Sequence, residues 1–361
     1  MRRVLWIVFY VFDGLLLALF AAGYLAYYIR PGFFWWIELI AVFLPYLTAI
    51  IVVVGFVPWL TRRWSLLALH AVPLLLMVMR SDLIPRAFDP GVDSNDDLTV
   101  LSFNVPRWWG YLMPEKTAEM AAFIDSLQPD VIGLQEAPME FHSEVPHHRA
   151  APYVAVLFDS LGFKTVGPPD SGASWTPQPV LTRHEALEQT NIRLKQRNED
   201  GFSTFVTRTL LHWQGRDFAV YNVHLRTFGE RKPWRDERLP LISLSDIGPY
   251  FRSYREAYRT RAWEVEEILK MIQDETIPVI LCGDLNSTPF NWVHGRLTRF
   301  LRDTFEERGR GWGMTYHTRM PIFRIDYVMV SDEWEIVSAD VVDAYLSDHL
   351  PVVVRLRWKE P

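Results

Sequence analysis

Cysteine is nearly missing from this chain of 361 residues: Cys282 is the only one. No intrachain disulfide can form, and no thiolate cluster for zinc can be assembled. Cys282 stands in the apolar run Val279-Ile280-Leu281-Cys282, which assigns it to a buried core strand. Positive charge is not in excess either, since 37 basic residues face 43 acidic ones for a net charge of -6. Met1 to Ser94 holds seven of the basic and five of the acidic residues, so the remainder is the more acidic part. A fixed polyanion-binding groove normally carries the opposite charge. A local basic concentration at Arg226, Arg231, Lys232, Arg235 and Arg238 is the exception. No internal repeat is visible.

Long apolar runs are what the N-terminal part has in abundance. Val4–Ile29, Phe33–Leu60 and Trp64–Met79 are set against the roughly 20 residues a helix needs to cross a bilayer. Trp35, Trp36, Trp59 and Trp64 sit at the run ends as interfacial aromatics do. The pattern predicts three transmembrane helices forming a membrane anchor over residues 1–80. A cleaved signal peptide does not fit, because the first run is too long and two more follow. Arg2 with Arg3, and Arg62 with Arg63, are placed in the cytoplasm by the positive-inside rule, although Arg80 and Arg86 count against it. The expectation is a multi-pass inner-membrane protein whose C-terminal part is periplasmic or extracellular. Asp13, Glu38 and His70 fall within the runs. Polar groups satisfying one another between packed helices, or snorkelling to an interface, are favoured over an ion path with so few helices.

Residues 81–97, with Pro85, Pro90, Gly91, Asp93, Asp96 and Asp97, read as a linker. At about 3.3 Å per residue it leaves the distance between the bilayer and the domain that follows open. Residues 98–361 then form the second domain. Leu98–Val105, Asp130–Glu136, Ile277–Cys282, Ile325–Val330 and Val352–Trp358 read as strands, and Lys116–Leu127 and Tyr254–Gln273 as amphipathic helices. Phe202–Leu211 and Asp217–Leu225 form a hairpin turned at Gln214-Gly215-Arg216. Hairpins mixed with helices predict packed sheets flanked by helices, the α/β (α+β) class. Ala137–Asp200 and Arg226–Pro249 are poorly periodic and stay unassigned.

Five apolar runs end in carboxylate, amide or imidazole: at Gln135-Glu136, Asn222-Val223-His224, Gly283-Asp284-Leu285-Asn286, Asp326 and Ser347-Asp348-His349. Asp284 and Asn286 are two residues apart past a buried strand, so an extended backbone points both to one side. A simple Asx-turn is the plainer explanation of that segment taken alone. Glu136 ends a buried run, where a bound cation would offset the cost of its charge. Asn104 holds the comparable position after the first strand and offers a neutral oxygen, unless it is only a turn residue. His224 alternates with Asn222, although a lone strand histidine is more often structural. Asp326 can accept a hydrogen bond from His349, setting its tautomer and raising its pKa. Hard oxygen ligands for a divalent cation, together with two imidazoles, suit phosphoester hydrolysis.

Taken in order, Asn104, Gln135-Glu136, Asn222-Val223-His224-Leu225, Gly283-Asp284-Leu285-Asn286, Asp326 and Ser347-Asp348-His349 resemble the signature of the endonuclease/exonuclease/phosphatase superfamily. The resemblance covers roughly Leu98 to Arg357, and its specificity lies in the joint occurrence. It implies a deoxyribonuclease-I-like four-layer sandwich. It also implies that Glu136 binds Mg2+, with Mn2+ as the alternative, and that Asn104 and Asp348 contribute to the metal and phosphate shell. Asp284 and Asn286 would position or activate water, and His224 would stabilise the phosphate or protonate the leaving oxygen. His349 would do the same from the opposite side with Asp326 behind it. Whether Asp284 or His349 takes the water's proton stays open. Asn222 is expected beside the substrate, and Arg183, in Val180-Leu181-Thr182-Arg183, resembles the family's Ser-Arg ending and is a candidate phosphate contact. The family's abasic-site endonucleases carry tyrosine and asparagine where Asn222-Val223-His224-Leu225 stands, which points toward the deoxyribonuclease and sphingomyelinase-like branches. Trp108, Trp109 and Tyr111 follow Asn104 and could stack a base, cover a lipid or simply pack. The expected activity is metal-dependent phosphoester hydrolysis on nucleic acid, a lipid head group or a small phosphodiester. The bilayer is the expected partner, and no protein partner is. The alternative is a non-catalytic membrane scaffold on the same fold.

Overall fold

Short apolar runs bounded by turn residues form strands in the computed structural model of the chain, which describes residues 2–80, 96–105, 114–137, 139–140, 161–163, 175–194, 204–228, 244–318 and 321–360. In chain order they begin with β1 (Leu98–Asn104), β2 (Val131–Gln135), β3 (Met139–Glu140), β4 (Trp175–Thr176), β5 (Val180–Thr182), β6 (Glu185–Arg193) and β7 (Phe205–Trp213). Then come β8 (Arg216–His224), β9 (Val279–Asp284), β10 (Arg302–Asp303), β11 (Asp326–Val330), β12 (Trp334–Val341) and β13 (Val352–Trp358). One sheet has the order β12-β13-β1-β2-β5 and the other β10-β11-β9-β8-β7-β6, while β3 and β4 form a separate ribbon. Each large sheet contains one parallel pair, β1 with β2 and β8 with β9. A parallel pair needs a long crossover, and helices Pro114–Ser126 and Leu244–Gln273 lie in the two crossovers.

The inner faces of the sheets meet through Val100, Val131 and Val180 on one side and Val220, Ile280 and Cys282 on the other. Helix Pro114–Ser126 covers the outer face of the first sheet, packing Met120 and Ile124 against Leu101, Phe103 and Ile132. At Gly133 the sheets approach so closely that a Cβ would fall 2.4 Å from the Cys282 sulfur. Cys282 is fully buried, and burial pushes its thiol up to about 12. Asn222 bridges the same gap. Its Nδ2 donates to the carbonyls of Leu134 and Pro179, both at 2.9 Å, and its Oδ1 accepts from Gln135 Nε2 at 2.7 Å. The β7–β8 hairpin turns on Gln214 and Gly215, at φ 49° and 77°, the positive-φ pair of a two-residue turn matched to strand twist.

The described chain divides into two compact units. The second, Phe88–Thr227, Trp263–Asn286 and Leu297–Pro361, holds both sheets. The first joins Met1–Ala87 to Phe228–Ala262 and Ser287–Arg296. Most of the linker (81–95), Trp108, Trp109, Tyr111 and the basic residues Arg231 to Arg238 lie outside the described residues.

The expectation of three membrane-spanning helices is corrected. Arg2–Ala26 is one helix long and apolar enough to cross a bilayer. The second run breaks into Trp36–Val42 and Leu44–Leu60, bent by 69° at Phe43 and counting as one further crossing at most. Pro45, in the first turn after the break, has no amide to continue the ladder across it. The third, Trp64–Arg80, is a shorter apolar helix of 17 residues with Pro73 inside and does not count among the candidate spans. Val4, Val8, Val11 and Leu15 make an exposed apolar stripe along the first helix. Asp13 and His70 are buried as a mutual pair, with His70 Nε2 2.8 Å from Asp13 Oδ1.

Replacing Gly133 with alanine forces a methyl group against Cys282 and is expected to cost about 1–3 kcal/mol. Thermal unfolding checks it: Gly133→Ala melts below wild type, and adding Cys282→Ala recovers part of the loss. An unchanged melting temperature in the single variant would contradict the packing described.

Candidate active site

Strand ends build the site. Parallel pairing aligns His224 with Asp284 at the ends of β8 and β9, and the antiparallel neighbour β11 sets Asp326 opposite Asp284 on its other side. In the first sheet β1 and β2 end together, with Asn104 opposite Gln135. Gly283 makes the close approach of β9 to β8 feasible: its φ is 146°, and a Cβ there would lie 1.9 Å from the Val223 carbonyl oxygen. Two ends from each sheet thus converge. Asn104 Nδ2 donates across the gap to Asp284 Oδ2 at 3.0 Å.

Asp284 is 1% exposed. Its Oδ1 accepts from the Asn286 amide at 2.7 Å, and its Oδ2 lies 3.2 Å from Asn286 Nδ2. Asn286 takes φ 48°, which folds it back over the strand end, and its Nδ2 also reaches the Leu225 carbonyl at 3.1 Å. His224 Nε2 stands 3.5 Å and His349 Nε2 3.9 Å from Asp284 Oδ2. His349 Nδ1 is 2.9 Å from Asp326 Oδ2, a contact that holds the proton on Nδ1 and turns Nε2 toward Asp284. Asp284, Asp326 and His349 form one buried cluster.

Electrostatics separates the roles of these groups. Burial alone would lower the His349 pKa. Asp326, hydrogen-bonded to it, together with Asp284 and Asp348, overrides that and raises it to about 10. His349 is therefore an imidazolium at neutral pH. Burial raises the Asp284 carboxyl, Asp326 raises it further, and the two imidazoles pull it back only in part. A carboxylate so placed is a stronger base than one in water, whereas a histidine already protonated cannot accept a proton.

Glu136 follows β2 at φ 57° and is exposed. The expected cost of burying its charge thus does not arise; the buried residue at that strand end is Gln135. The Ser347 hydroxyl donates to the Asn104 carbonyl at 2.7 Å and ties the segment carrying Asp348 to the end of β1. Asn104, Glu136 and Asp348 offer only oxygen donors at neighbouring chain ends, a donor set that fits a hard divalent cation such as Mg2+.

Two expected site residues are elsewhere. Asn222 is fully buried between the sheets and its amide is used by backbone and Gln135, so it is a bracket and not a substrate contact. Its side chain is on the same face of β8 as that of His224, two residues further along, but lies deeper between the sheets. Arg183 sits at the far end of the sheet, because β5 runs antiparallel to β2 and its last residues meet the start of β2. Its guanidinium pairs with Asp125 at 3.2 Å and Gln128 at 3.1 Å and lies over the Phe163 ring. Conversely, Tyr316 was not legible as a site residue. Its ring centroid is 4.9 Å from that of His349, and its backbone forms a bridge to His349. It lies in an irregular stretch, where periodicity carries no signal.

The sequence profile described as the endonuclease/exonuclease/phosphatase family matches residues 101–349. The chain belongs to that family. No curated relative matches the sequence. Among solved structures, an endonuclease/exonuclease/phosphatase family protein from Leptotrichia buccalis C-1013-b is similar at 19% identity and a TM-score of 0.51, over 72% of this chain and 100% of that one. The corresponding values for a protein from Beutenbergia cavernae DSM 12333 are 22% and 0.51, over 73% and 72%. A mannosyl-6-phosphatase of Bacteroides thetaiotaomicron VPI-5482 gives 16% and 0.52, over 72% and 100%. At such identities the likeness fixes the fold. Two mixed sheets flanked by helices are the deoxyribonuclease-I-like arrangement, and the family consists of phosphoester hydrolases.

Because its folded pKa is raised, His349 contributes stability fully below its unfolded value of roughly 6.5, and loses it as pH rises through about 10. In metal-free protein the imidazole signal of His349 is expected to titrate near pH 10 by NMR, and Asp326→Asn is expected to bring that titration down by several units. Titration of wild-type His349 near 6.5 would contradict the assigned charge.

Proposed function

We propose that this family member hydrolyses phosphoester bonds with Asp284 as the general base and His349 as a fixed cation. The observation carrying this reading is the buried Asp284 carboxylate, set between two imidazoles and held by amide donors from both sheets. Asp284 takes a proton from water, whose oxygen attacks phosphorus. Asn286 and Asn104 fix the carboxylate so that its basic lone pair keeps one direction. The His349 imidazolium, oriented by Asp326, stabilises charge developing on the phosphoryl oxygens. His224, part-exposed at the end of β8, is placed to protonate the leaving oxygen. Glu136, with Asn104 and Asp348, would hold Mg2+ or Mn2+. When bound, such an ion polarises the phosphoryl group as a Lewis acid.

The exposed apolar stripe of the first helix supports anchoring in a bilayer. The acidic remainder of the chain favours small phosphodiesters, phosphomonoesters or lipid head groups over polymeric nucleic acid. Salt separates these substrates, because polymer binding weakens steeply with ionic strength and small-ester hydrolysis does not.

The test uses full-length protein in detergent with bis(p-nitrophenyl) phosphate and p-nitrophenyl phosphate, with and without Mg2+. Turnover is expected to need the ion. Asp284→Asn is expected to lower kcat by about 10²–10⁴-fold while leaving the melting temperature near wild type, and Glu136→Ala to raise the Mg2+ concentration needed for half activity. Full activity in excess chelator, or in Asp284→Asn, would refute the mechanism.

A further inference from the structure

The mechanism leaves one buried acid unused. Glu38, in helix Trp36–Val42, is 1% exposed. Its Oε2 accepts from Asn291 Nδ2 at 2.7 Å and its backbone carbonyl from the same nitrogen at 2.9 Å. The Trp292 amide lies 3.3 Å from both carboxylate oxygens. Asn291 Oδ1 in turn accepts from the Thr288 amide at 2.8 Å and the Thr288 hydroxyl at 2.7 Å. Arg80 Nη2 donates to the Pro289 carbonyl at 3.2 Å, and Phe290 packs with Ala26, Ile37 and Ala41. All these contacts fall within the first compact unit. The turn they hold begins two residues after Asn286 and four after Asp284.

An apolar side chain at position 38 would fill the space without the cost of burying a polar group. What it could not do is accept hydrogen bonds from two donors in fixed directions. A buried acceptor with that geometry selects one conformation of the turn. We infer that Glu38 is a positioning residue: through Asn291 and Trp292 it fixes the turn Thr288–Trp292, and through chain continuity the backbone carrying Asp284 and Asn286. The N-terminal helices are then a working part of the hydrolase rather than a detachable anchor. The inference rests on the hydrolase reading given above.

The experiment uses full-length protein in detergent with Mg2+ and bis(p-nitrophenyl) phosphate, comparing Glu38→Ala, Glu38→Gln and Asn291→Ala with Asp13→Asn. Asp13 lies in the same unit, where its partner is His70, so its variant controls for general loosening of the helices. Glu38→Ala is expected to lower kcat about 10- to 100-fold with KM within about two-fold of wild type. Glu38→Gln should fall between, since its amide keeps one acceptor but turns a donor toward the turn. Hydrogen exchange at the Thr288 and Trp292 amides should accelerate in Glu38→Ala and stay at the wild-type rate in Asp13→Asn. Wild-type kcat and exchange in Glu38→Ala would overturn the inference, as would an equal loss of kcat in Asp13→Asn. An inactive wild-type protein would instead sink the hydrolase reading, and amide exchange would still decide whether Glu38 holds the turn.

Discussion

A carboxylate buried as fully as Asp284 costs several kcal/mol unless donors and cations surround it. The site is largely the set of groups that meet this requirement. Asn286 satisfies one oxygen from the same chain end, and Asn104 reaches the other from the opposite sheet. His224 and His349 supply donors or positive charge, and Asp326 keeps His349 protonated. Each of these groups also belongs to the proposed chemistry. The arrangement that makes Asp284 tolerable therefore also makes it basic and aims it.

Topology explains why residues so distant in sequence meet. Each large sheet has one parallel pair, so two strand ends fall side by side in each. The antiparallel neighbours β11 and β13 begin where those pairs finish, which brings Asp326 and the segment before Val352 to the same edge. Asn222 and Gln135 lock the sheets together just beneath, with Gly133 allowing the close approach. A slip of one residue in β8 would exchange Asn222 and His224 with their neighbours on the other face. The bracket and the catalytic edge are thus set by one register.

Much of this edge was legible, because each element there is a short apolar run ended by a polar residue. β13 agrees with the sequence reading to the residue, and the β7–β8 turn falls at Gln214-Gly215. What failed has physical causes. β6 reads Glu-Ala-Leu-Glu-Gln, a helical composition, yet it is an edge strand with little of its surface buried, so pairing with β7 decides its form. Arg183 looked like a site residue from its neighbours alone, but strand direction put it at the wrong end. Asn222 and His224 share a strand and an alternation, and only the packing distinguishes the bracket from the site. In the N-terminal part hydropathy fixed that the segments are apolar, whereas the break at Phe43, just before Pro45, splits the second run and leaves no mark in the hydropathy. Nothing local to Glu38 announced its contact with Asn291, which is 253 positions away.

Both sheets act on one carboxylate. A double-mutant cycle on kcat/KM between Asn104→Ala, from the first sheet, and Asn286→Ala, from the second, tests it most directly. Both side chains hold Asp284, so the two losses should be strongly non-additive, with the double variant little worse than the poorer single one. Losses that simply multiply would mean the two residues act independently, and would contradict the account.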